Sequence, residues 1–129
     1  MSKHSYNCND GYYRINNVYR DRPLAYCPYG SCGVIETKDA LYLKSYTTFV
    51  IKYDKKMNLL QCSGTYSRTT IKHIIAFTRE ICGNNLYHIM KKCYQDNVAY
   101  NPNTGEIVEL NGNFDVYGFQ GIKKNLEVA

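Results

Sequence analysis

The stretch from Thr47 to Cys93 limits how this chain can fold more than any other, because most of its periodic apolar residues lie there. It begins with Thr-Thr-Phe-Val-Ile-Lys-Tyr, whose β-branched and aromatic residues predict a strand. A polar turn and a second strand-like run from Leu59 to Gly64 follow, so the sequence predicts an antiparallel hairpin. Alternate residues of a strand share a face, which places Phe49, Ile51 and Tyr53 together.

Two helices are predicted after this hairpin. Ser67 is a favourable N-cap, because its hydroxyl can accept a hydrogen bond from a backbone amide of the first turn. The first helix is expected from Arg68 to Cys82, where Gly83 suits the left-handed conformation that ends helices. An asparagine at 84 or 85 should begin the second helix, and so short a link predicts an αα-hairpin. The expected apolar faces are Ile71, Ile74, Ile75, Thr78, Ile81 and Cys82, and then Leu86, Ile89, Met90 and Cys93.

Shorter patterns complete the predicted fold. Strands are expected near Gly33–Thr37, Leu41–Tyr46, Glu106–Leu110 and Phe114–Phe119, with a hairpin turn at Asn111–Asn113. A weaker pattern indicates another strand within Tyr12–Tyr19. We therefore predict an α+β fold in which an antiparallel sheet of four to six short strands packs against the αα-hairpin.

The length of 129 residues fits one domain. Within this domain, residues 1–33 are expected to be irregular, and cross-linked by a zinc ion if a metal binds there. Residues 34–119 should form the α+β core, and residues 120–129 a loose tail.

Charge and composition limit the classes of partner. The formal net charge is +5, which favours an acidic protein or a nucleic acid as partner and argues against a protein that mimics DNA. The N-terminus has no apolar core of signal-peptide length, and no stretch is long and apolar enough for a membrane span. We expect a soluble protein in the cytoplasm of a bacterial host cell, with no membrane partner and no small-molecule substrate.

Three of the six cysteines lie in the N-terminal third of the chain. Zn²⁺ is commonly held by four cysteine and histidine ligands in structural sites. The sequence predicts such a structural site, with the ligands His4, Cys8, Cys27 and Cys32. Metal binding would also explain how a segment with few aliphatic residues stays ordered. Plain thiols, and a disulfide such as Cys27–Cys32, are the alternatives that the sequence leaves open.

No catalytic residues are predicted. Cys62, Cys82 and Cys93 lie at or near apolar positions, where a cysteine usually serves as a small core residue. A cysteine nucleophile needs an adjacent base, and His73 is better explained by a place at the core border or a hydrogen bond to a neighbouring strand. We therefore expect a protein that is not an enzyme.

Basic residues recur beside aromatic rings along the chain. Such a mixture suits single-stranded RNA or DNA, where bases stack and phosphates pair. It suits a protein interface equally well, because tyrosine and arginine are frequent anchors there, and a solvated surface is the third alternative. The predicted partner-binding residues are Arg14, Arg20, Arg22, Arg68, Lys72, Arg79, Lys91 and Lys92.

Two runs carry a resemblance to a known domain type. They are Tyr46-Thr-Thr-Phe-Val-Ile-Lys-Tyr53 and Tyr66-Ser-Arg-Thr-Thr-Ile-Lys-His-Ile74. Together they resemble an uncharacterised small domain of phages, plasmids and other mobile elements of Firmicutes. In that domain a strand hairpin leads to a Tyr-Ser-x-Thr-Thr-x-(Lys/Arg)-His-Ile helix start. The resemblance spans residues 42–95 and brings no known catalytic residues with it.

The resemblance implies a class of function. Small proteins of mobile elements often bind a host factor, and this chain is similar in size and in its lone compact domain to the type II anti-CRISPR proteins, which block Cas9. The implied function is a non-enzymatic inhibitor that binds Cas9 or its guide RNA complex. The alternative is a small single-stranded RNA- or DNA-binding module with a structural zinc.

Overall fold

The computed structural model describes residues 18–22, 32–65 and 67–123, with the backbone alone for residues 18–22. Its elements in chain order are β1 (Val18–Arg22), β2 (Cys32–Thr37), β3 (Ala40–Ser45), β4 (Thr48–Asp54), β5 (Leu59–Cys62), α1 (Arg68–Cys82), α2 (Tyr87–Asp96), β6 (Val98–Tyr100), β7 (Ile107–Phe114) and β8 (Gln120–Ile122). The strands pair antiparallel and lie side by side in chain order. The predicted α+β class with an antiparallel sheet is therefore confirmed, although the described residues form eight strands.

The main core lies where residues of the sheet meet both helices. Ile74 and Phe77 of α1 and Met90 of α2 have no exposed surface and belong to one apolar cluster. That cluster also contains strand residues, among them Leu43, Val50, Ile51 and Leu60. The sequence pattern did not assign Phe77 to the apolar face of α1, yet it is the largest fully buried side chain of the described residues.

A β-bulge divides β4 into two parts. Leu43 pairs with Ile51 and the next residue of β3, Lys44, pairs with Phe49, so Val50 is the extra residue. Ile51 contributes to the main core, whereas Phe49 belongs to a second cluster on the other side of the sheet. The prediction that Phe49 shares a face with Ile51 and Tyr53 is therefore wrong, because the bulge reverses the alternation of side chains.

The second cluster is covered by the turn between β7 and β8. Phe119 is buried there and packs with Tyr42 and Phe49. Asp115 holds the turn in place: its Oδ1 accepts hydrogen bonds from the amides of Tyr117 (2.9 Å) and Phe119 (3.0 Å). Both faces of β3 are consequently buried, which explains why four consecutive residues of this strand lack exposure.

The end of the chain differs from the sequence prediction. The predicted turn at Asn111–Asn113 is wrong, because β7 continues through these residues to Phe114. Leu110 pairs with Ile122 and Phe114 with Gln120, so the Asn-Gly pair forms an irregularity within the strand, and Gly112 adopts a positive φ of 84°. The predicted strand at Phe114–Phe119 is instead the chain reversal. Residues 120–122, expected in a loose tail, form β8.

The helix ends follow the sequence closely, with one exception. Ser67 caps α1 by accepting a hydrogen bond from the Thr70 amide (3.2 Å), and Gly83 ends the helix with φ 83°. Both predictions are confirmed. The second helix begins later than predicted, at Tyr87. The amide of the N-cap residue Leu86 donates to Thr78 Oγ1 (3.1 Å), and the amide of Tyr87, the first residue of the helix, donates to Asn85 Oδ1 (2.9 Å).

Candidate interaction surface on the helices

The predicted contact residues that the structure describes in full lie on the two helices. Arg68, Lys72 and Arg79 are exposed on α1, and Lys91 and Lys92 are exposed on α2. Arg20 and Arg22 lie on β1, where the backbone alone is described, and Arg14 lies outside the described residues. The predicted contact residues that the structure describes in full are thus divided between α1 and α2.

Three of these cations form one stripe along α1, which we call the α1 stripe: Arg68, Lys72 and Arg79. Their spacings of four and seven residues place them on one helix face, over a length of roughly 16 Å. Between Lys72 and Arg79 lies a shallow depression of about 340 Å³, whose other lining residues are Ile75 and Ala76. Both of these apolar residues are half-buried. The stripe therefore combines positive charge with an apolar floor.

Ion pairing distinguishes the helices from the sheet. The described ion pairs of the sheet and its turns are Lys52–Asp115 (3.0 Å), Lys55–Glu36 (3.1 Å), Lys56–Asp39 (3.9 Å) and Lys123–Glu109 (3.1 Å). On α2, Lys92 pairs with Asp96 (3.4 Å). By contrast, Arg68, Arg79 and Lys91 make no ion pair with any side chain that the structure describes. The unneutralised positive charge therefore concentrates on the helices.

A cation and aromatic rings share one face of α2. Tyr87 and Tyr94 lie four residues before and three residues after Lys91, which is helical spacing for a single face. The Tyr94 side chain is 50% exposed, and Tyr87 is half-buried with its ring centroid 5.1 Å from that of His88. This face therefore combines a cation with aromatic rings, a composition that suits the binding of single-stranded nucleic acids.

A cation and a neighbouring aromatic ring do not share one face on β4. Lys52 and Tyr53 are adjacent in the chain, so their side chains point to opposite faces of the strand. Tyr53 packs against the main core and donates a hydrogen bond to Asn58 Oδ1 (2.6 Å). Lys52 instead lies over the ring of Tyr42, 5.7 Å from its centroid. Adjacency in sequence makes a shared surface only where the backbone turns both side chains the same way.

The predicted zinc ligands lie almost entirely outside the described residues. His4, Cys8 and Cys27 belong to the part of the chain that the structure does not describe. Cys32 is buried on β2 and is disulfide-bonded in this structure. Within residues 32–65 and 67–123, no three ligating side chains are grouped closely enough to hold a metal ion. The zinc site stays a prediction.

The remaining cysteines are thiols in apolar surroundings. Burial raises the pKa of Cys62 to about 12 and that of Cys93 to about 11, and it also raises the pKa of Cys82. A thiol is nucleophilic as its thiolate, so these shifts disfavour the reactive form at neutral pH. Cys62 donates to the carbonyl oxygen of Gly64 (3.4 Å).

The Tyr-Ser-x-Thr-Thr-x-Lys-His-Ile run contributes side chains to a chain of polar groups that is buried except at Ser67. His73 has no exposed surface, and its Nδ1 lies 2.8 Å from Ser45 Oγ on β3. Ser45 Oγ lies 3.0 Å from Thr70 Oγ1, which in turn lies 3.1 Å from Ser67 Oγ. Burial lowers the pKa of His73. The expected hydrogen bond from His73 to a neighbouring strand is confirmed, and the chain ties the start of α1 to the sheet.

Comparison with protein families adds one result to this geometry. The model of a family of unknown function, DUF8033, matches residues 13–96. The chain belongs to this family. The DUF8033 match ends with the last residue of α2, so it contains all of the predicted contact residues, whereas β6 to β8 lie beyond it. Searches of curated proteins and of solved structures found no match.

The described helices also bear on membrane association. None of those in the described part of the chain has the length and apolar composition that a bilayer crossing requires.

Proposed function

We propose that this DUF8033 protein is a non-enzymatic interaction protein of a phage or mobile element, which inhibits Cas9 by binding the enzyme or its guide RNA complex. The observation that carries the interaction role is the α1 stripe, where the described cations Arg68 and Arg79 have no ion-pair partner. The choice of Cas9 rests on the resemblance to mobile-element domains and to anti-CRISPR proteins. The phosphates of the bound guide RNA, or an acidic patch on the enzyme, would supply the negative charge that this stripe would meet.

The floor of the α1 stripe favours contact with protein over contact with bases. Ile75 and Ala76 line the depression between Lys72 and Arg79. Single-stranded nucleic acids are usually held by aromatic rings on which bases stack, and the lining of this depression contains no ring. An acidic protein surface with apolar side chains complements the stripe in both charge and polarity.

The state of the thiols supports a non-enzymatic role. The raised pKa values of Cys62, Cys82 and Cys93 keep these groups protonated near neutral pH. His73, the histidine on α1, is buried and engaged with Ser45. Changing the three cysteines to alanine or serine should therefore leave inhibition intact, and loss of inhibition with an unchanged fold would argue for an enzyme.

A Cas9 cleavage assay tests the proposal directly. The protein is added to Cas9 either before or after the guide RNA is loaded, with several homologous Cas9 enzymes. Inhibition in either order supports the proposal, and the order that inhibits shows whether the free enzyme or the loaded complex is the target. Full cleavage in both orders with every enzyme would contradict the proposed inhibition.

Charge reversal locates the contact. The triple variant Arg68→Glu, Lys72→Glu and Arg79→Glu should abolish inhibition, because it turns the α1 stripe negative. The matched control reverses Lys38, Lys56 and Lys123, which are exposed residues outside the helices and strands and give the same change in net charge. Equal loss in both variants would mean that the overall charge acts, and not the α1 stripe.

A nucleic-acid-binding module with a structural zinc is the second candidate. The face of α2 that carries Tyr87, Lys91 and Tyr94 favours it. Fluorescence anisotropy with a single-stranded oligonucleotide should then show affinity that falls steeply with salt, and Tyr94→Ala should weaken it. Metal analysis of protein purified without added zinc tests the predicted zinc site. Sub-stoichiometric zinc, or unchanged stability in Cys27→Ser, would exclude the metal site.

A further inference from the structure

A polar cavity lies on the face of the sheet that the helices do not cover. It has a volume of about 310 Å³ and is bounded by the β2–β3 turn, by β3 and β4, and by the turn that contains Asp115 and Tyr117. Pockets for small ligands usually measure roughly 300–1,000 Å³. Ala40, which pairs with Asp54 across the two strands, has too small a side chain to fill the space above it. The cavity therefore has the size of a site for a small molecule.

Lys52 offers unused hydrogen-bond donors at this cavity. Its side chain is 17% exposed and lines the cavity wall. An ammonium group carries three donors, and among the described residues only Asp115 Oδ2 accepts from it, at 3.0 Å. Asp115 Oδ2 also accepts from the Tyr42 hydroxyl at 3.1 Å, so this carboxylate orients the lysine. The remaining donors are available to an anionic group in the cavity.

Asp54 offers a complementary acceptor on the same face. It lies two residues after Lys52 on β4, and such residues share a face with their Cα atoms about 6.7 Å apart. Its Oδ1 accepts from the amides of Lys56 (2.9 Å) and Met57 (3.0 Å). Its Oδ2 accepts no hydrogen bond from the residues that the structure describes. The carboxylate is therefore held in position by one oxygen and can bind a cation with the other.

The lining as a whole carries no excess charge. Its lysines, at positions 38, 52 and 56, are balanced by aspartates at positions 39, 54 and 115. A polyanion would meet the aspartates, and a polycation would meet the lysines. A ligand with both charges close together satisfies the two sets at once.

We propose that this cavity binds a small zwitterion of the α-amino acid class, with its carboxylate on Lys52 and its ammonium group on Asp54. The site lies on the opposite face of the sheet from the α1 stripe and is independent of the function proposed above. No small-molecule substrate is expected from the sequence, and the zwitterion is a ligand that the protein binds without transforming it.

Titration of the full-length protein with individual amino acids tests the inference. Nuclear magnetic resonance should show saturable shifts at the amides of Ala40, Lys52 and Asp54. N-acetylated amino acids and amino-acid methyl esters, which each lack one charge, should bind about tenfold more weakly or worse. The absence of saturable binding by any amino acid would overturn the inference. Equal binding by the single-charge derivatives, or binding of nucleosides or inorganic phosphate alone, would also overturn it.

Variants locate the site. Asp54→Asn and Lys52→Met should each lower the affinity about tenfold or more, and Ala40→Leu should block binding by filling the cavity. Lys123→Met is the matched control, because it removes an exposed ion pair with Glu109 outside the cavity lining and should bind like the unchanged protein. Affinity unchanged in Asp54→Asn would overturn the assignment. If a variant melts early, the comparison of zwitterions with single-charge derivatives on the unchanged protein still decides the question.

Discussion

The two faces of the sheet differ in how they are covered and in the charge that they display. On one face, the main core joins twelve buried residues of strands and both helices, and the helices present cations that lack ion-pair partners in the described structure. On the other face, five buried residues form the smaller cluster, and three of the lysines nearby, Lys52, Lys55 and Lys56, are paired with carboxylates. The larger cluster should therefore determine whether the domain folds.

The helical face of the sheet is built from contacts between elements that are near one another in the sequence, whereas the other face depends on contacts between distant residues. The helical layer is built within the DUF8033 match, largely from neighbouring elements in the chain. The second face is closed by Asp115, which reaches Tyr42 and Lys52 across 73 and 63 residues of sequence. This closing turn lies beyond the family match, which ends at residue 96. The contrast predicts that the helical layer can stay folded when the second face opens.

Removal of the Phe77 ring should have the largest effect on stability. The side chain is fully buried in the main core, so Phe77→Ala should lower the free energy of unfolding by about 3–5 kcal/mol. Urea denaturation followed by circular dichroism measures this. Phe114→Ala is the control, because Phe114 is 67% exposed and its loss should be nearly neutral.

Phe119→Ala should have a smaller and more local effect. Phe119 is 2% exposed and packs within the second cluster, so loss of its ring should destabilise the packing of the β7–β8 turn by about 3 kcal/mol, the lower end of the range for a buried phenylalanine. Hydrogen exchange should become faster in β7 and β8, while α1 keeps its protection. Uniform loss of protection over the whole sheet and α1 would mean that the two faces form one cooperative unit.

The pH dependence of stability tests the buried chain that joins α1 to the sheet. Because burial lowers the pKa of His73, the unfolded state takes up its proton more readily than the folded state. The free energy of unfolding should therefore fall as the pH drops below about 6.5, by at most about 1.4 kcal/mol per pH unit from this group. His73→Gln should flatten this part of the profile. An identical slope in the variant would assign the effect to other groups.

The N-cap of α1 should contribute less to the stability of the fold than these buried side chains. Ser67 accepts from the Thr70 amide and also contacts the Thr70 hydroxyl, so Ser67→Ala should destabilise the protein by about 1 kcal/mol. Thermal unfolding measures the change, and Ser67→Asp should restore most of it, since aspartate also caps helices. A loss in the alanine variant that aspartate does not restore would place the role of Ser67 in the buried chain instead.

The exposed ion pairs of the second face should matter least for stability. Lys56 and Asp39 are 3.9 Å apart, and their side chains are 74% and 56% exposed. Lys56→Ala should change the free energy of unfolding by less than about 0.5 kcal/mol. A larger loss of stability would show that this ion pair also stabilises the fold.

Features that depend on neighbouring residues were predictable from the sequence. The cap at Ser67, the end of α1 at Gly83 and the hairpin of β4 and β5 each depend on residues a few positions apart. The Asn-Gly pair shows the limit of such reasoning, because the same dipeptide serves a hairpin turn or an irregular strand. The choice depends on where the chain finds its next partner, which here is β8.

The candidate sites were predictable to different degrees. The cations of α1 could be identified from helical spacing, which also places them on one face. The cavity could not, because Lys52, Asp54 and Asp115 carry no shared motif. Tyr53 is the ring next to Lys52 in the sequence, but Lys52 contacts its cross-strand neighbour Tyr42 instead.

By itself, the amino-acid sequence determined the α+β class, the positions of the main strands and helices, and the cationic face of α1. The reason is that periodicity and caps act over a few residues. Only the tertiary structure decided that Phe49 and Ile51 lie on opposite faces and that Asp115 closes the second one. A bulge of one residue and a contact across many strands follow from pairing and packing, and neither leaves a periodic signal in the sequence.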